Sequence, residues 1–192
     1  GEYAAKDKKL IDALAEGLYL LHVERNGDVV CMTSYAPLFA KKDATNWNPD
    51  LIYFDNERTY LTCSYYVQQL FGQSAGQYYY GDCVTFEGDA PNTCQPTPNT
   101  LYGQSVVLNT KTRRLFVKVC NAGSTPRKAT VDLSRFGSLK KTALKTTLCG
   151  DPESENNYEA QPVVPQTESV KARKRMEIDV QPYSLTMIEC QL

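Results

Sequence analysis

Residues 175–181, Arg175-Met176-Glu177-Ile178-Asp179-Val180-Gln181, alternate polar and apolar side chains without a break. A period of two puts Met176, Ile178 and Val180 on one face of a strand and the charged residues on the other. That is the pattern of a sheet with one face on a core and one in water. Working outward, the same signal recurs. Ala129, Val131 and Leu133 alternate with Lys128, Thr130 and Asp132, and Leu115, Val117 and Val119 alternate with Phe116, Lys118 and Cys120. Residues 109–112 supply a turn joining this last run to residues 105–108. Residues 151–170 read as a polar, proline-containing loop, and no helical period intervenes. Short strands at close spacing predict an antiparallel β-sandwich over residues 77–192, with no internal repeat.

Upstream of residue 76 the pattern changes. Residues 8–25 read as a helix, with Leu10, Leu14, Leu18 and Leu21 on one stripe beside Ile11, Ala15 and Tyr19. Asp7 is the expected N-cap and Asn26-Gly27 the stop. Val29-Val30-Cys31-Met32 is apolar without alternation, which predicts a strand buried on both faces, as in a parallel sheet covered by helices. Residues 41–49 form a polar loop carrying the single tryptophan, Trp47. Leu51 to Phe54 is a short apolar run leading into a turn at Asp55-Asn56. Ser64 is the expected cap of a second helix over residues 65–71. Helix, buried strand, long loop and helix cannot close a sheet alone, so residues 1–76 read as the last part of a larger α/β array.

Composition bounds the function classes. The chain has 192 residues, is 42% hydrophobic and carries 21 Lys+Arg against 22 Asp+Glu. A core is within reach, and the charge balance gives no electrostatic reason to expect a nucleic-acid or anionic-membrane partner. No apolar run approaches the roughly 20 residues of a membrane-spanning helix. The basic stretch Lys171-Ala172-Arg173-Lys174-Arg175 therefore reads as a solvated loop before a strand. There are seven cysteines and one histidine, His22, with no Cys-x-x-Cys pair, so neither a metal site nor any cofactor is expected. Cys31 and Cys120, inside apolar runs, read as buried hydrophobes, while Cys83 and Cys94 flank a turn-rich stretch and could pair in an oxidising compartment, although spacing alone does not fix the connectivity. The start, Gly1-Glu2-Tyr3, lacks Met and a signal-peptide pattern, and reads as the opening of an excised piece.

Several stretches carry a resemblance. Asn26-Gly27-Asp28-Val29-Val30, Ser34-Tyr35-Ala36-Pro37-Leu38-Phe39, Trp47-Asn48-Pro49-Asp50-Leu51-Ile52-Tyr53-Phe54-Asp55-Asn56 and Ser64-Tyr65-Tyr66-Val67-Gln68-Gln69-Leu70-Phe71 resemble the C-terminal region of glycoside hydrolase family 51 α-L-arabinofuranosidases. The likeness continues more loosely through Val117-Lys118-Val119-Cys120-Asn121, Leu148-Cys149-Gly150-Asp151 with Glu155-Asn156, and Pro182-Tyr183-Ser184-Leu185-Thr186. It implies a mainly β chain: a jelly-roll-like sandwich preceded by an α/β segment from the end of a (β/α)8 barrel.

The resemblance also implies a retaining glycosidase that removes terminal arabinofuranosyl groups from arabinose-containing polysaccharides or oligosaccharides. Gly1-Glu2-Tyr3-Ala4 resembles the family's nucleophile stretch and makes Glu2 the expected nucleophile of the longer protein. The acid/base of this family is a Glu preceded by Asn on an earlier strand. Asn56-Glu57 follows the nucleophile and does not fit that role. Tyr35 and Trp47 are expected to line the substrate cleft, since aromatic faces stack on sugar rings. The isolated chain, with one carboxyl of two, is expected to be inactive, and its sandwich to brace the rest of the barrel. A periplasmic or extracellular setting suits such an enzyme. The alternative is an autonomous carbohydrate-binding module, which needs an exposed aromatic row. Tyr78-Tyr79-Tyr80 is a weak basis for one, because consecutive strand residues face opposite ways. The wide apolar face of the first helix must find cover on the sandwich, the second helix or another copy, so self-association is a further expectation.

Overall fold

The computed structural model describes residues 8–89 and 100–192. Glu2, Asp7 and Cys94 lie outside them, and with them the expected nucleophile, the expected cap and the Cys83–Cys94 pairing. The elements run α1 (Leu10–Arg25), β1 (Phe39–Lys41), β2 (Ile52–Phe54), β3 (Thr59–Leu61), α2 (Cys63–Gln73), β4 (Tyr78–Tyr79), β5 (Val84–Phe86), β6 (Tyr102–Asn109) and β7 (Arg114–Asn121). They continue with β8 (Arg127–Asp132), β9 (Thr142–Cys149), β10 (Gln166–Lys171), β11 (Arg175–Val180) and β12 (Ser184–Gln191).

The expected sandwich is present. Six antiparallel strands in the order β10-β9-β12-β7-β6-β4 face a sheet ordered β11-β8-β5. Between them lie Val84, Phe86, Val106, Leu115, Val117, Val119, Ala129, Val131, Val180, Ile188 and Cys190. The alternation read at Met176, Ile178 and Val180 is the inward face of β11, which pairs with β8 along its whole length. The tyrosines at 78–80 divide as their alternation requires: Tyr78 is exposed, Tyr79 packs toward the helices and Tyr80 toward the small sheet.

The large sheet has a second covered face. Leu10, Leu14 and Leu21 of α1 and Val67, Leu70 and Phe71 of α2 pack on Val107, Phe116, Cys120, Leu185 and Met187. The architecture is thus three layers, helices over the six-stranded sheet over the three-stranded sheet, and β7 is buried on both sides. Because α1 spends its apolar face inside the chain, the ground for expecting self-association through that face is removed. Gly103 lets α1 approach β6, since a Cβ there would lie 3.3 Å from Leu21.

Burial reaches even Lys118, whose side chain is 1% exposed. Its ammonium donates to Glu24 Oε1 at 2.6 Å, near the end of α1, and to the Ser74 carbonyl at 2.9 Å, just past α2. Glu24 Oε2 accepts from Ser105 Oγ at 2.5 Å. One cation thereby satisfies both helix ends against the sheet; a buried charge persists only when so paired. Two asparagines play the same part for loops. Asn121 Nδ2 donates to the carbonyls of Thr125 and Gln181, and Asn156 Nδ2 to those of Leu61 and Val163.

Several local expectations are corrected. Val29-Val30-Cys31-Met32 forms no strand: Val29 is 76% and Met32 80% exposed, and Cys31 is exposed rather than buried. A doubly buried strand needs a ladder partner and a layer on each face, and among the described residues none lies beside this run. Cys120, by contrast, is fully buried. The start of α1 has Lys9 at the N-cap, whose side chain makes no capping hydrogen bond and pairs instead with Glu153 at 2.7 Å. The Leu10 and Ile11 amides donate instead to the Ser154 and Pro152 carbonyls at 2.9 and 3.0 Å, so a distant loop replaces the local cap. The cap of α2 is Thr62, which accepts from the Tyr65 amide, rather than Ser64. The loop read over 151–170 gives way at residue 166 to β10, which pairs with β9. The basic stretch spans the turn from β10 to β11, largely exposed as expected.

Candidate functional site

The residues expected to meet substrate lie on the helix side of the molecule, in the two irregular segments flanking β1. The first, residues 30–38, carries Tyr35. Among the described residues, no backbone hydrogen bond ties positions 31–37 to another element. The second, between β1 and β2, carries Trp47, 63% exposed. Thr45 shapes its turn: its hydroxyl accepts from the Trp47 amide at 3.3 Å and lies 3.4 Å from Asp50 Oδ2. Both segments contain a cis X-Pro bond, at Ala36-Pro37 and Asn48-Pro49.

Tyr35 is half-buried against a group that periodicity did not single out. Glu16 sits on the inner face of α1, 3% exposed. Its Oε1 accepts from Ser64 Oγ at 2.9 Å and its Oε2 from Gln68 Nε2 at 3.3 Å, both on α2. The Tyr35 phenol lies near enough to the Glu16 carboxyl and the Ser64 hydroxyl for each to influence it electrostatically. Burial pushes the Glu16 carboxyl up to about 7, against the pull of the Ser64 and Gln68 bonds and with a further push from Asp12. Burial and the neighbouring Glu16 likewise raise the Tyr35 phenol above its usual range. The sequence did hold a signal: an acidic residue at a position where α1 otherwise buries Ala13, Gly17 and Leu20.

Tyr53 anchors the second segment. Its hydroxyl donates to Asn48 Oδ1 at 2.8 Å and accepts from the Asp50 amide at 2.9 Å, and it lies near enough to Tyr35 to raise that phenol further. Its ring stacks on Tyr60 at 4.9 Å, Tyr158 meets Tyr60 edge-on at 4.7 Å, and the Lys8 ammonium sits 4.8 Å from the Tyr53 centroid. This aromatic block makes the base of the Trp47 loop rigid. Asp55 is a turn residue, as expected: its Oδ1 accepts from the Glu57 and Arg58 amides, which hold the carboxyl below its usual range. Among the described residues no hydrogen bond or ring contact joins Tyr35 to Trp47 directly. Around them Val29, Met32, Leu38 and Phe39 expose further apolar surface.

The described part of the site can hold and orient a ligand through aromatic faces and backbone. Two of its carboxyls are deeply buried: Glu16, held by Ser64 and Gln68, and Asp50, which the Thr45 hydroxyl approaches at 3.4 Å. The nucleophile position expected at Glu2 is outside the described residues.

Comparison with known proteins identifies the family. Residues 1–184 match the family model of the α-L-arabinofuranosidase C-terminal domain. A probable α-L-arabinofuranosidase A of Aspergillus flavus is 31% identical over 179 residues, covering 90% of this chain and 26% of that protein. The α-L-arabinofuranosidase 1 of Arabidopsis thaliana is 44% identical over 80 residues, covering 39% of this chain and 12% of that protein. Among solved structures, an arabinose-bound GH51 α-L-arabinofuranosidase superposes with a TM-score of 0.83 at 27% identity, covering 95% of this chain and 28% of that one. An α-L-arabinofuranosidase from Thermotoga maritima shares the fold at a TM-score of 0.74 and 17% identity, covering 98% of this chain and 39% of that one. The chain spans about a quarter of the Aspergillus relative that it matches along most of its length, and on these grounds it belongs to the α-L-arabinofuranosidase C-terminal domain family.

Proposed function

We propose that this chain is the C-terminal part of a retaining α-L-arabinofuranosidase acting on terminal arabinofuranosyl groups of arabinose-containing polysaccharides. In this reading residues 1–76 complete a catalytic barrel and residues 77–192 form the sandwich that braces it. Glu2 is the nucleophile, the acid/base comes from a part of the protein outside this sequence, and Tyr35 and Trp47 line the cleft. The observation that carries the reading is the fate of residues 29–32. An apolar run patterned for burial is exposed, without a partner strand among the described residues, and leads directly into the Tyr35 segment. A barrel strand whose neighbours belong to the rest of a longer protein behaves in this way.

Retaining hydrolysis needs two carboxyls about 5–5.5 Å apart, one attacking the anomeric carbon and one protonating the leaving oxygen. A chain supplying one of them does not turn over by itself. The test is release of 4-nitrophenol from its α-L-arabinofuranoside by the full-length protein, by the 192-residue chain and by full-length Glu2→Gln. Activity in the first alone supports the reading; comparable activity in the isolated chain or in Glu2→Gln sinks it. The binding-module alternative finds thin support: among the described residues of 77–192, Tyr78 is the single exposed aromatic. Isothermal titration of the chain with arabinan separates the two, since binding heat favours the module and silence the brace.

A further inference from the structure

We propose that one end of the sandwich, where β8 leads to β9 and β10 leads to β11, is a docking surface for a polysaccharide that carries uronic-acid carboxylates. Two connections between the sheets meet there. Residues 133–141 run from β8 to β9, and the basic stretch 171–175 runs from β10 into β11. Backbone bonds stitch them together: the Ala172 amide donates to the Lys141 carbonyl at 2.9 Å, and the Leu133 amide to the Lys174 carbonyl at 2.6 Å. Lys140 and Lys141, far upstream in sequence, thereby join Lys171, Arg173, Lys174 and Arg175 at one end of the molecule, and all six are exposed.

Neither segment contains an acidic residue. Carboxylates beside them are engaged: Asp132 faces Arg175 across the β8–β11 ladder, Asp82 pairs with Arg135, and Glu168 pairs with Lys145 at 3.0 Å. Glu177 and Asp179 follow farther along β11, opposite Thr130 and Lys128. No ion pair joins Lys140, Lys141, Lys171, Arg173 or Lys174 to a carboxylate among the described residues. Like charges gathered in this way repel one another and attract an anionic partner. The 21 basic and 22 acidic residues of the chain nearly cancel, so the field is local to this end.

The chemistry of the patch selects among polyanions. Phe136, the single aromatic of the two segments, is buried, so no ring is free to stack on a nucleic-acid base, and no helix lies there to enter a groove. Leu133 is buried, and Leu139 and Ala172 are half-buried, which leaves no apolar side chain to enter a bilayer. Four of the six cations are lysines, point charges without the planar fork that favours phosphate. These features suit carboxylates spaced along a flexible polymer. That the polymer is a polysaccharide rests on the function proposed above: a second attachment to the substrate holds its arabinofuranosyl side chains at high local concentration.

The experiment measures binding by the full-length protein of four probes: polygalacturonate, neutral arabinan, double-stranded DNA and phosphatidylglycerol vesicles. Wild type is compared with Lys171→Ser/Arg173→Ser/Lys174→Ser and with Lys140→Ser/Lys141→Ser, at about 50 and about 500 mM NaCl. The expected result is that polygalacturonate binds wild type most tightly at low salt, and about tenfold more weakly in either variant or at high salt. Arabinan shows neither dependence, and DNA and vesicles bind more weakly than polygalacturonate. Polygalacturonate that does not bind, or binds both variants within about twofold of wild type, overturns the proposal. Tighter binding of DNA or of vesicles overturns it as well, since the patch then serves another class of polyanion. Both variants are expected to keep the wild-type urea midpoint and the wild-type rate on 4-nitrophenyl α-L-arabinofuranoside, because the substituted side chains are exposed and lie outside the cleft residues. A wild type without arabinofuranosidase activity instead defeats the proposed function, while polygalacturonate binding, read without turnover, still judges the patch.

Discussion

Two apolar runs in this chain have similar sequences and opposite fates. Val29-Val30-Cys31-Met32 stands largely exposed and forms no ladder, while Leu115 to Cys120 is buried on both faces between helices and a second sheet. The difference is not hydrophobicity. β7 has β6 and β12 as neighbours and a layer above and below it; the earlier run has none of these among the described residues. An apolar pattern thus reports the surroundings a segment is suited to, and only packing partners in the folded molecule supply them.

The comparison can be broken at its most committed point first. Lys118→Ala leaves Glu24 at the helix–sheet boundary without its cation, and is expected to cost about 3–5 kcal/mol in urea unfolding of the chain. A loss under 1 kcal/mol would mean that β7 tolerates water on its helix face.

Glu16 supplies the next effect. Its carboxyl ordinarily titrates at 4.5 and is held at about 7 in the folded chain, so the folded state binds its proton more tightly than the unfolded state. The stabilising proton is present in full below pH 4.5 and is lost as pH rises toward 7. Unfolding free energy should fall across that window by an amount on the order of 3 kcal/mol, and Glu16→Gln should remove this component. Denaturant midpoints measured at several pH values check it; the same slope in the variant refutes it.

The direct comparison is one substitution at two sites. Val117→Ala empties space in a doubly covered strand and is expected to cost about 2 kcal/mol. Val29→Ala in the 192-residue chain is expected to change stability by less than about 0.5 kcal/mol. In the full-length protein, where the proposed barrel covers residue 29, the cost there should approach that at residue 117. Equal, small effects in both settings would show that this run is never buried.

How much was legible follows the same logic. The strands of the sandwich announce themselves wherever one face is apolar, as at β8 and β11. β10 hides inside an apparent loop because it is an edge strand, exposed along nearly all of its length, so Gln166 to Lys171 carries no burial signal. The helix starts misled for a related reason. Asp7 and Ser64 are good caps by composition, but an amide takes whichever acceptor the fold brings near: the Ser154 carbonyl for α1 and the Thr62 hydroxyl for α2. At the site, Tyr35 and Trp47 were recognisable as aromatic residues in irregular segments. The pairing of Glu16 with Ser64 was not, because the two meet across 48 residues of sequence.

By itself the sequence determined the sandwich, the two helices, the turn at Asp55 and the family, since alternation, helical stripes, turn chemistry and motif order are properties of neighbouring residues. Only the tertiary structure decided that Lys118 is an internal cation, that α1 covers the sheet, and that Glu16 is buried between α1 and α2 on Ser64 and Gln68. Each of these depends on where two distant segments meet, and the electrostatic and packing energies that settle them exist only once both are in place.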